Sequence, residues 1–130
     1  MTKLKLLACA FGAGAMFALP ALAADASGEI VTAATHADLA AQASDLNGVH
    51  THLHHAVNCL VGSGGAGFDK TQINPCAGSG NGAIPDMADA AKKKVLEAAL
   101  AEANAGIAAT NMAVAKADAT GTAAALKAIK

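Results

Sequence analysis

THADLAAQASDLNGVHTHLHHAVNCLVG, Thr35 to Gly62, carries apolar residues at helical spacing from one end to the other. Leu39, Leu46, Leu53 and Val57 fall on one face of a 3.6-residue period, with Val49 and Leu60 beside them, so the stretch reads as one amphipathic helix over 35–61. Thr35 suits the N-cap, Asp38 sits where the helix dipole favours an anion, and Gly62 stops the helix. Four of the chain's five histidines lie within six residues here, His50 to His55.

Downstream, GSGGAGFDKTQINPCAGSGNGAIPD, Gly62 to Asp86, has seven glycines and two prolines and no alternation, so 62–85 is a loop. A loop that long in a small domain is functional or tied down. Cys59 and Cys76 supply the tie. In an oxidising compartment they form a disulfide that folds the loop back along the first helix, stabilising by roughly 3 kcal/mol in the chain-entropy model. Reduced, the two thiolates beside the histidines would make a soft metal site instead. Asp86 then caps a second long helix over 86–118. Its stripe, Leu96, Leu100, Ala103, Ile107 and Val114, keeps its phase through Gly106, which reads as a weak spot or a close-packing position. A turn at Ala119-Thr120-Gly121 and a cap at Thr122 predict a short last helix over 121–130.

Upstream, residues 1–23 have the form of a secretory signal: Lys3 and Lys5, an apolar run from Leu6 to Leu19, and the small-x-small site Ala21-Leu22-Ala23. The run is too short and wrongly flanked for a membrane span. Cys9 lies only four residues after Lys5, too close for the apolar segment a lipoprotein signal needs. Cleavage leaves about 107 residues in the periplasm or outside the cell, beginning with a mobile stub over 24–34 around Ser27-Gly28. No stable membrane insertion is expected after cleavage.

Without that segment seven lysines face ten carboxylates, a net charge near −3, and Phe68 is the sole aromatic among Phe, Tyr and Trp. A mildly acidic chain with no arginine and no stacking platform argues against nucleic acid. About thirty alanines and few large apolar side chains give an all-α, Ala-rich bundle of about three helices in a single domain over 35–130. Such a core is thin, and thin cores lean on staples, ligands or a second subunit. Pairing into a homodimer would make a fuller bundle.

The chemistry lies in the histidines. On a helical wheel His50 and His54 stand one turn apart at the edge of the apolar stripe, while His52 and His55 face the other side with Cys59 a turn beyond. An i, i+4 pair aims two imidazole nitrogens at one ion, so His50 and His54 are the leading metal ligands and the i, i+3 pair His52 and His55 the second. His36 is in phase with His54 but eighteen residues away, about 27 Å along a continuous helix. It would share that site only across a subunit interface, and by itself it reads as a surface residue. Two imidazoles do not close a site. The remaining donors would come from Asp69, Asp86, Asp89, Met87, Met112 or a second chain. Imidazole with carboxylate or thioether suits copper, nickel or zinc, and the affinity order favours copper. Plain half-buried interface histidines are the competing reading.

Other motifs carry less. No glutamate lies in the cluster, so the HExxH pattern of metalloproteases is absent. GSGGAG lacks the preceding strand and the Lys-Ser/Thr of a phosphate loop. No C-x-x-C-H is present for covalent haem, and non-covalent haem would want more bulky apolar cover than this core offers. Lys92 to Lys94 read as a solvated face. No serine stands beside a histidine in a nucleophile context, so the chain reads as non-enzymatic.

The signal, the Gly-punctuated Ala-rich stretch AVAKADATGTAAALKAI (113–129) and the histidine-dense HTHLHH (50–55) resemble the small periplasmic metal-binding proteins built from histidine-bearing helical bundles. The resemblance implies binding of divalent metals, copper in particular, for buffering or scavenging. No histidine follows His55, which limits the implied capacity to one or two sites. The alternative is an interaction module whose disulfide-tied loop contacts a partner.

Overall fold

Asp45 breaks the long first helix in two. The computed structural model describes residues 26–129, and within them α1 spans Ala26–Gln42 and α2 spans Leu46–Val61. Asp45 is extended and its carboxylate accepts from the Gly48 N–H, satisfying one of the amides that a helix start leaves unpaired. The turn is tight: a Cβ on Gly48 would lie 3.2 Å from that of Ala43. Thr35 is therefore no N-cap. It lies inside α1, its hydroxyl donating to the Val31 carbonyl, and the expected stub is helical from Ala26 onward. The signal segment 1–23, Cys9 among it, and residues 24 and 25 lie outside the described residues.

The second long helix divides in the same way. α3 is a single turn, Ala83–Asp86; α4 spans Ala90–Ala108 and α5 spans Met112–Lys127. Asp89, not Asp86, caps α4 by accepting from the amides of Ala91 and Lys92, and Asn111 caps α5 through Ala113 and Val114. The turn expected at 119–121 is helix, and Thr122 is buried within it, donating to the Asp118 carbonyl.

Four long helices, rather than three, close a ring: α1 packs on α2 and α5, and α4 packs on the same two. Each runs antiparallel to its neighbours. Gly106 near the end of α4 meets Leu53 of α2, while Val61 at the end of α2 shares a groove with Pro85, Glu97 and Leu100. Lys116 at the start of α5 donates to Ala43 just after α1, and Leu126 at its end lies beside Ile30. The bundle within one chain is thus fuller than the three helices expected.

The seams are built of small residues. α1 buries Ala26, Ala33, Ala34, Ala37 and Ala40; α4 buries Ala99, Ala103 and Gly106; α5 buries Ala115, Ala119 and Ala123. Gly106 is the close-packing position its phase suggested, since a Cβ there would sit 2.7 Å from Leu53 Cδ1. Leu53, Leu60, Leu96 and Leu126 are the largest fully buried side chains. Leu39 and Val114, assigned to apolar stripes, are 40% and 52% exposed because the breaks after α1 and α4 shift them off the buried faces.

The disulfide is present, with Cys59 and Cys76 both buried. The loop is also tied by Asn58, whose amide donates to the carbonyls of Asp69 and Ile73 and accepts from the Asp69 N–H. Its neck is a glycine pair, where a Cβ on Gly82 would come within 2.5 Å of the Gly62 nitrogen. Loop and bundle together bury α2 almost all round in its last two turns. Among the described residues no helix is long and apolar enough to cross a membrane.

Candidate metal centre

The α1–α2 hairpin brings His36 beside His52 and His55. His36 and His52 each stand eight residues from Ser44, at the centre of the turn, so antiparallel packing sets them level. His55 follows His52 at the i, i+3 spacing that keeps both on one helix face. The three rings form one cluster, with centroids 5.6 Å apart for His36 and His52, 5.1 Å for His36 and His55, and 5.7 Å for His52 and His55.

Each ring offers one nitrogen, and the three atoms lie within 4.8 Å of one another. His36 Nδ1 and His52 Nδ1 are 3.4 Å apart. Two nitrogens bound at the usual zinc distance of 2.0–2.1 Å with a tetrahedral angle are separated by about 3.3–3.4 Å. That pair is already at ligand spacing, and the widest pair needs to close by at most about 1.4 Å, within the reach of side-chain rotation.

The rings are electrically suited to a cation. Burial, then the neighbouring rings of His55 and His52, push the His36 imidazole below its ordinary 6.5. Burial, then His52 and His54, push His55 in the same direction. Both rings are held in the neutral form that coordinates metal. His55 is 8% exposed, and its Nδ1 is buried with no hydrogen-bond partner, in a place where an unpaired polar atom is costly. His36 and His52 are half-buried.

The leading sequence pair is not the one brought together. His50 Nε2 lies 3.0 Å from the Ala109 carbonyl, to which it donates at the end of α4. His54 Nδ1 lies 3.2 Å from Asp69 Oδ2. Each ring is held by an acceptor of its own, on a different element. The second pair, His52 and His55, does converge, and its third donor is His36, which the continuous-helix reading had excluded within one chain. The three carboxylates considered have other work. Asp69 accepts from the hydroxyl and amide of Thr71, which with smaller help from His54 hold its carboxyl below the ordinary range; Asp86 accepts from Asn81, and Asp89 caps α4. Cys59 and Cys76 are consumed by the disulfide.

The signal that finds His36 is the cap rather than any metal motif. Asp45 three residues before Gly48, after Ser44, marks a helix start inside the apolar stripe. Once the chain turns there, the 27 Å that separated His36 from the cluster disappears. Comparison with protein-family models, curated proteins and solved structures finds no match for the chain.

Proposed function

We propose that this is an exported, non-enzymatic helical protein that binds one transition metal ion through His36, His52 and His55, for buffering or scavenging. The observation that carries the reading is the set of three imidazole nitrogens, from two helices, within 4.8 Å of one another. Three histidines on one ion is an established ligand set, whereas the same rings packed for stability alone would leave the buried His55 nitrogen without a purpose. The 3.4 Å spacing of the closest pair already matches a tetrahedral ion such as zinc, which makes zinc the first ion to test. Export follows from the signal-like residues 1–23.

Zinc titration against a competing chromophoric chelator tests this. One ion per chain is expected. His36→Ala and His55→Ala should each lower affinity by more than the roughly 10- to 100-fold typical of outer-shell partners. A His50→Ala/His54→Ala double variant should keep wild-type affinity. Equal affinity in His36→Ala and wild type removes the proposal.

A second reading, the interaction module, draws on the loop, where Ile73 is 69% exposed on a segment pinned by Asn58 and the disulfide. It predicts binding of a partner that is lost on Ile73→Asp and indifferent to chelator.

A further inference from the structure

Three ligands leave a tetrahedral ion one position short, and the surrounding donors account for themselves. His54 and His50 are held by Asp69 and Ala109. Asp38, two residues beyond His36, is bound through both oxygens to Lys127. The hydroxyls of Thr32 and Thr35 donate within α1 to Gly28 and Val31. Glu29 has one unpartnered oxygen, but it lies seven residues from His36, about 10 Å along the axis. Cys59 carries no thiolate. Among the described residues, the one group of His, Cys, Asp and Glu side chains close enough to share an ion there is the three rings themselves.

Burial says where the missing position points. His55 is enclosed, while His36 and His52 are half-buried, so the triad has a closed floor and an open rim. No carboxylate belongs to the three-ligand set, so a divalent ion held there keeps its full charge. A doubly charged ion with a neutral ligand set, a vacant vertex and access to solvent binds water first and a small anion better.

We propose that the metal centre is an exogenous-ligand site: the ion bound by His36, His52 and His55 takes a small anionic donor at its fourth position, the donor's lone pair replacing that of a bound water. This rests on the metal-binding reading above, and it adds a third component, an anion of the azide or carboxylate class, that the chain does not itself supply.

Cobalt(II) is the probe, because its visible bands report coordination number where zinc is silent, and sodium azide is the anion. Full-length protein loaded with one equivalent of cobalt should show the strong visible bands of a four- or five-coordinate ion. Azide should shift them, with the change saturating at one azide per cobalt and reversing on dialysis with the metal retained. His54→Ala should respond as wild type does. Bands that stay unchanged at high azide overturn this inference alone, since a fourth protein donor must then fill the position. Azide that strips the cobalt overturns it too, because the anion is then competing with histidines rather than joining them. Failure to take up cobalt removes both this inference and the metal-binding reading.

Discussion

Asn58→Ala isolates what holds the Gly-rich loop to the bundle. Asn58 is fully buried, and its amide makes three hydrogen bonds to loop backbone: 3.0 Å to the Asp69 carbonyl, 3.1 Å to that of Ile73, and 2.8 Å from the Asp69 N–H. A net hydrogen bond contributes about 0.5–1.5 kcal/mol, so losing three should cost about 3 kcal/mol. The disulfide spans 17 residues in sequence, which the chain-entropy relation converts to about 3 kcal/mol as well. Both act on one loop. Once the disulfide is gone the loop can leave α2, and the Asn58 bonds then hold a looser partner. The Asn58→Ala/Cys59→Ala/Cys76→Ala variant should therefore lose less than the sum of the two separate changes, by roughly 1–2 kcal/mol. Urea unfolding followed by far-UV circular dichroism, with all variants fitted for midpoint and slope, measures each corner of the cycle. A cost below about 0.5 kcal/mol for Asn58→Ala would refute the role given to the amide. Strict additivity would refute the claim that the two ties share an element.

Zinc at 100 times its dissociation constant should stabilise the protein by about 2.7 kcal/mol, raising the melting temperature of a domain this size by roughly 10 °C, and the rise should vanish in His36→Ala. Without metal, two titrations should pull stability in opposite directions. Below the ordinary imidazole value of 6.5 the unfolded chain protonates before His36 and His55 do, so stability drops as pH falls, and a His36→Gln/His55→Gln variant should flatten that arm in chemical unfolding. Glu29 works in the opposite direction. Desolvation, outweighing the Gly82 amide, raises its carboxyl above 4.5, so stability drops as pH rises past that value, and Glu29→Gln should remove this arm. Gly106→Val should destabilise by about 1–3 kcal/mol in the same assay, because its side chain would overlap Leu53 and crowd Asp118.

The sequence made the helical class, the cysteine pair and the loop legible because each has a local cause. Alanine content favours helix, glycine and proline forbid it, and Cys59 and Cys76 flank the loop that their disulfide closes. What failed was the joining of helices. Leu39 and Leu46 are seven residues apart, so the apolar stripe passes through Ala43-Ser44-Asp45 as if nothing happened, although the chain reverses there. The same coincidence carries Ile107 to Val114 across Ala109-Thr110-Asn111. Periodicity records spacing and is blind to direction. The caps were the decisive marks, and Asp45 and Asn111 were both readable as such. The site inherited that error: of the two histidine pairs, the wheel ranked first the one at the stripe edge, where the structure gives each ring a private acceptor.

The thin core and the histidine cluster have one cause. Helix axes approach to about 8 Å when the residues between them are small and stand nearer 10 Å when they are large. Ala33, Ala37 and Ala40 on α1 and Ala56 on α2 are all buried in the part of the hairpin that holds His36, His52 and His55. They set the close approach at which an imidazole from each helix can meet at 3.4 Å. Leucines there would bury more apolar surface, by about 0.8 kcal/mol for each added methylene, and would push the rings apart. The alanines thus give up cohesion between α1 and α2 in return for proximity. On the proposed metal-binding reading, an ion ligated from both helices would restore that cohesion at the place where it was given up, and ion binding and the integrity of the hairpin would then be one equilibrium rather than two.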